Sequence, residues 1–125
     1  MDGTQQLVVI VEDDAGMRHA LQRLLHASGY RTQAFESAEA LLAASGAKDA
    51  HCLVLDVQLP GASGIELYAS LGQDAPPAVF ITSHDSPDLR SAAARAGVAA
   101  VLAKPFLGHE LMDAIALATG QGGLP

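Results

Sequence analysis

Residues 7–14, Leu7-Val8-Val9-Ile10-Val11-Glu12-Asp13-Asp14, decide how this chain is read. Five apolar residues run without a polar break, which predicts a strand buried on both faces, as in a parallel sheet. Three carboxylates follow where that strand stops. The pattern returns further along. Cys52-Leu53-Val54-Leu55 runs into Asp56, and Ala78-Val79-Phe80-Ile81-Thr82 follows Pro76-Pro77. Val98 to Ala103, rich in small residues, leads into Lys104-Pro105, and the weaker alternation from Tyr30 to Phe35 reads as an edge strand.

Helical spacing fills the intervals. Met17, Leu21, Leu24, Leu25 and Ser28 make one stripe, with Arg18, His19, Gln22, Arg23 and His26 on the other side and Gly29 as the stop. Ser37 caps a short helix through Leu41, Leu42 and Ala44, closed by Gly46. Ser63-Gly64-Ile65-Glu66 has capping-box spacing and opens a helix carrying Leu67 and Leu71. Ser86-Pro87 starts a fourth helix that ends at Gly97, and Leu107, Leu111, Ala114, Ile115 and Ala118 stripe a fifth. Five βα units predict an α/β fold with a doubly wound parallel sheet and helices on both faces. The ligand site of such a sheet lies at its carboxyl edge.

Composition narrows the function. The chain has 125 residues, which suits one domain, and half of them are hydrophobic, which excludes disorder. Lys+Arg 7 against Asp+Glu 14 gives a net charge of −7. With a pI near 4.9, the domain lacks the basic face that nucleic-acid binding needs. No apolar run is long enough to span a bilayer. Met1 to Gln6 has neither the basic nor the apolar region of a signal peptide, so a cytoplasmic domain is expected. Cys52 is the only cysteine and reads as a small buried hydrophobe. Residues 120–125, GQGGLP, read as a linker-like tail after a domain spanning 1–119.

The predicted strand ends bring together Glu12-Asp13-Asp14, Asp56, Thr82-Ser83 and Lys104. Crowded carboxylates repel one another unless a cation joins them, and several oxygen ligands with room for water suit Mg²⁺. A carboxylate there can act as a nucleophile toward phosphorus, forming an acyl phosphate. An ammonium group and a metal would neutralise the charge on the transferred group. Asp14 has a simpler role available, favouring the N-terminus of the next helix. The histidines at 19, 26, 51, 84 and 109 show no metal-ligand spacing and read as surface residues. His84, two residues past Thr82, stands over the site.

VVIVEDDAGMR, CLVLDVQLPGASGIEL, VFITS and VLAKPF, in this order, resemble the receiver domain of two-component response regulators. The resemblance covers about Leu7 to Ala118. It implies a flavodoxin-like five-stranded sheet of order 2-1-3-4-5 with five helices. It also implies that Asp56 is the phosphoacceptor and that Thr82 and Lys104 each bind a phosphoryl oxygen. Asp13 would ligate Mg²⁺ directly, Glu12 would act largely through water, and Asp56 and the Gln58 backbone carbonyl would complete the metal set. Lys104-Pro105 would be cis, and Pro60, Gly61 and Gly64 would shape the loop after Asp56. The donor would be a histidine kinase or a histidine phosphotransfer protein, docking near the first helix. YRTQAFESAEALL and CLVLDVQLPG further resemble receivers that precede helix-turn-helix output domains, which here would lie beyond residue 125. Residues 84–119 would carry the partner face, including any homodimer, bordered by Ala92, Ala93, Ala94 and Ala96. One departure stands out: the family usually places Tyr or Phe three residues before the lysine as a switch, and this chain has Val101.

Other classes fit less well. An aspartyl-phosphate phosphatase of the haloacid dehalogenase kind would place an acid two residues after its nucleophile, and Gln58 cannot protonate a leaving group. A flavin or nucleotide module would need a glycine-rich loop after the first strand, where this chain puts three acids. A receiver used only for protein interaction would not need Asp13, Asp56, Thr82 and Lys104 together. The reading is a phosphoacceptor switch rather than a metabolic enzyme, with at most slow self-phosphorylation from small donors and autodephosphorylation.

Overall fold

The computed structural model describes residues 5–120. Five strands alternate with five helices: β1 (Leu7–Val11), α1 (Ala15–Ala27), β2 (Arg31–Phe35), α2 (Ala38–Ala43), β3 (Cys52–Asp56), α3 (Gly64–Ser70), β4 (Ala78–Thr82), α4 (Pro87–Ala96), β5 (Ala100–Ala103) and α5 (Gly108–Ala118). All strand pairs are parallel and the order is β2-β1-β3-β4-β5. The order reverses between β1 and β3, so their carboxyl ends face a shared crevice.

Every residue of β1, β3 and β4 is buried, as continuous apolar runs require when helices cover both faces. Alternate side chains feed two cores. Val9, Val11, Leu53, Leu55 and Phe80 pack with Ala38, Leu41, Leu67 and Ala93 from α2, α3 and α4. Val8, Ile10, Val54, Val79 and Ile81 pack with Leu21, Leu25, Leu111 and Ile115 from α1 and α5. Tyr68 meets Phe80 edge-on, with ring centroids 6.1 Å apart.

The sequence signals for helix ends mostly hold. Ser37, Ser63 and Ser86 each accept a hydrogen bond from a backbone N–H in the first turn, and Ser63 with Glu66 forms the full capping box. Gly97 ends α4 in the left-handed conformation, φ 82°. Three boundaries differ from the sequence reading. Helix α2 stops at Ala43, and the left-handed residue after it is Ser45 (φ 51°), not Gly46. Gly46 serves packing instead: a Cβ there would lie 2.6 Å from the Phe35 ring and 2.8 Å from Leu41. The fifth strand is confined to Ala100–Ala103: the Val98 N–H still bonds back to Ala93 in α4, and Ala99 makes the first hydrogen bond to β4, donating to the Ala78 carbonyl at 2.8 Å. Leu107 is the exposed N-cap of α5 rather than part of its buried stripe, and its N–H donates to Glu110 at 2.7 Å. Of the expected tail, residues 121–125 lie outside the described residues.

Cys52 is fully buried in β3, and burial pushes its thiol pKa up to about 12. The folded state therefore favours the protonated thiol. That contribution to stability is complete below the unfolded thiol's pKa and is lost as pH climbs toward 12. Iodoacetamide at pH 8 is expected to label Cys52 at least about a hundredfold more slowly in native protein than in urea. Equal rates, read by mass spectrometry, would mean that the strand is accessible in the folded state.

Candidate functional site

Four strand ends build one polar cluster on an otherwise apolar sheet. Glu12 (1% exposed) and Asp56 (3%) are buried, Thr82 is fully buried, and Asp13 is exposed. Lys104 Nζ donates to Glu12 Oε1 at 2.8 Å and to Asp56 Oδ2 at 3.0 Å. The second oxygens are also engaged: Glu12 Oε2 accepts from the Asp14 N–H at 3.1 Å, and Asp56 Oδ1 accepts from the Gln58 N–H at 2.9 Å. Lys104 is placed by its own N–H, which donates to the Thr82 carbonyl at 2.7 Å, and it precedes a cis peptide bond to Pro105 as expected. Burial alone would lower the Lys104 pKa. Hydrogen bonds to Glu12 and Asp56, with their charges, outweigh burial and raise it above the ordinary lysine value.

Carboxylate oxygens of Glu12, Asp13 and Asp56 all lie within 4.8 Å of one another, the arrangement that could hold a metal ion among the described residues. An all-oxygen donor set with one exposed member suits a hard divalent cation that keeps some of its water. Asp14 stands apart from it, capping α1 by accepting from the Met17 N–H at 2.7 Å. The histidines do not join. His51 Nδ1 accepts from the Leu7 N–H, His26 Nε2 pairs with Thr32, and the His84 ring is exposed.

Two contacts were not evident from the sequence. Arg18, read as part of an outer face, turns its guanidinium back onto the loop, donating to the Glu12 carbonyl at 2.9 Å and to that of Asp13 at 3.4 Å. It thus braces the two residues that carry the acidic pair. Gln58, whose backbone carbonyl was expected to complete the metal set, also lays its side chain over Thr82: Nε2 is 2.8 Å from Thr82 Oγ1, and Oε1 accepts from the Ser83 N–H at 3.0 Å. The register is the signal that could have found it. Asp56 pairs with Ile81, so the residues just past the two strands, Gln58 and Ser83, leave the sheet at the same edge.

The reversal of strand order, the buried carboxylates and the lysine that ties them together define a doubly wound α/β domain with an acidic carboxyl edge. A family model described as the response regulator receiver domain matches residues 8–116, and the chain belongs to that family, the receivers of two-component systems. Nodulation protein W of Bradyrhizobium diazoefficiens is 38% identical over 118 residues, which is 93% of this chain and 52% of that protein. The chain thus spans about half the length of the curated relatives it matches. The crystal structure of a response regulator receiver protein from Burkholderia phymatum superposes with a TM-score of 0.83 at 35% identity, covering 93% of this chain and 96% of that one. Full-length FixJ from B. japonicum matches with a TM-score of 0.84 at 33% identity, covering 96% of this chain and 60% of that one. No described helix is long and apolar enough to cross a membrane.

Proposed function

We propose that the domain takes a phosphoryl group onto Asp56 from a phosphohistidine of a histidine kinase or phosphotransfer protein. The observation that carries this reading is the buried Asp56 carboxylate held 3.0 Å from Lys104 Nζ beside Glu12 and Asp13. An Asp56 oxygen attacks phosphorus, the new P–O bond forms as the P–N bond to imidazole breaks, and the leaving imidazole keeps the electron pair. Lys104 then pairs with one phosphoryl oxygen and Thr82 donates to another. Glu12, Asp13, Asp56 and the Gln58 carbonyl would hold Mg²⁺, which when bound supplies positive charge against the phosphoryl oxygens. Acetyl phosphate should add the mass of one phosphoryl group when Mg²⁺ is present and none in EDTA. Labelling unaffected by EDTA would overturn the metal assignment.

The domain acts as a switch rather than a turnover enzyme in this reading. Its output is a helix-turn-helix DNA-binding domain beyond residue 125, supported by relatives named as transcriptional regulators. Exposed Leu107 and Leu117 support a partner or homodimer face within residues 84–119. Kinase docking falls on the exposed side of α1. Because Arg18 also braces the Glu12-Asp13 loop, Arg23 gives the cleaner test. Arg23→Glu should slow transfer from the kinase by about tenfold, as expected for loss of one to two kcal/mol of recognition. It should spare labelling by acetyl phosphate, whereas Arg18→Glu should impair both. Equal loss from both donors in Arg23→Glu would place kinase docking elsewhere.

A further inference from the structure

The Thr82 hydroxyl has no capacity left in this arrangement. It accepts from Gln58 Nε2 at 2.8 Å and from the His84 N–H at 3.0 Å, and its own proton is directed to Gln58 Oε1 at 3.1 Å. A hydroxyl donates once and accepts twice, so all three bonds are made. The same Oε1 accepts from the Ser83 N–H at 3.0 Å. One carboxamide, carried on the loop after β3, therefore binds the last residue of β4 and the first residue of the loop into α4. Thr82 cannot donate to anything attached to Asp56 until this contact is broken.

We propose that the Gln58 side chain is a positioning residue that latches Thr82 and the 83–86 loop in the resting arrangement, and so sets how hard the switch is to throw. The proposal rests on the phosphoacceptor reading of Asp56 but concerns a separate group. The backbone of Gln58, which that reading assigns to the metal, is untouched by a side-chain change. Gln58 is exposed and outside both cores, so its replacement is expected to leave the fold intact. The latch also gives this chain a control point distinct from residue 101, where valine offers no ring to move.

The test uses Gln58→Met, similar in length but unable to make these bonds, and Gln58→Glu, which keeps an acceptor for the Ser83 N–H. Amide hydrogen exchange is read without ligand, and affinity for beryllofluoride with Mg²⁺ is read separately. Ser83 and His84 amides should exchange about tenfold faster in Gln58→Met, while Ser83 stays protected in Gln58→Glu. Gln58→Met should bind beryllofluoride about fivefold to tenfold more tightly, as for release of roughly one hydrogen bond. Unchanged Ser83 exchange in Gln58→Met would overturn the latch. So would faster exchange with unchanged or weaker beryllofluoride binding. Failure of the unsubstituted protein to bind beryllofluoride would instead overturn the phosphoacceptor reading itself.

Discussion

Asp56→Asn is expected to reduce phosphoryl incorporation to background with either acetyl phosphate or a phosphorylated kinase. The amide lacks the anionic oxygen that attacks phosphorus, and the neighbouring acids Glu12 and Asp14 are already engaged. Glu12 is buried and held by Lys104 at 2.8 Å, and Asp14 is tied to the first turn of α1. Asparagine retains an oxygen for the Gln58 N–H, which Asp56 Oδ1 now accepts at 2.9 Å, so the loop keeps its anchor. Far-ultraviolet circular dichroism of the variant should therefore match that of the parent. Intact mass gives the answer directly: a phosphoryl adduct on the variant would place the acceptor elsewhere.

The second large effect is on stability, at Gly64. This buried residue begins α3 directly under the end of β3 that carries Asp56. A Cβ there would fall 2.5 Å from the Asp56 carbonyl oxygen, 3.1 Å from its carbon and 3.2 Å from Val57 Cα. Those are backbone atoms of the strand end, and they cannot rotate away. Gly64→Ala should cost about 3 kcal/mol, lowering Tm by roughly 10–15 °C for a domain of this size. It should also displace Asp56 and weaken metal binding. Gly46→Ala, whose Cβ would meet side-chain atoms of Phe35 and Leu41, should cost about 1 kcal/mol, because those groups can shift. Equal losses in thermal unfolding would contradict this distinction between backbone and side-chain crowding.

The candidate site was legible in the sequence wherever a polar residue directly follows an apolar run. Glu12, Asp56, Thr82 and Lys104 each sit at or just past the end of a strand, and a parallel sheet gathers such ends on one edge. The sheet order came from family resemblance, since periodicity alone does not order strands. What could not be read depends on long-range geometry. The Gln58 side chain meets Thr82 only through the offset between β3 and β4, and Arg18 bends back across a loop where helical periodicity pointed it outward. Local propensity also misled at two ends. Gly46 looked like a helix stop but is small because Phe35 and Leu41 crowd it, with Ser45 taking the left-handed turn. Leu107 continued an apolar spacing, yet it precedes the first turn of α5 and faces solvent.

In the proposed switch, coupling from the site to a partner surface works without an aromatic ring on β5. Val101 is partly buried against the core that holds Phe80 and Ala93, and valine is stiff about χ1, so it is a poor rotameric switch. The path proposed is backbone: Thr82 leaves Gln58, the 83–86 loop follows, and α4 moves with it. Driving a two-state equilibrium from 1:99 to 99:1 takes about 5.5 kcal/mol. New bonds from Thr82 and Lys104 to a metal-bound phosphoryl group are the source proposed for it.

Amide NMR spectra recorded with and without beryllofluoride and Mg²⁺ test this claim most directly, because beryllofluoride stands in for the phosphoryl group on Asp56. The account predicts large shifts at Asp56 and Thr82 that continue through residues 83–86, along α4 and into β5 as far as Lys104. Shifts confined to the Asp56 pocket, with residues 84–104 unmoved, would contradict it.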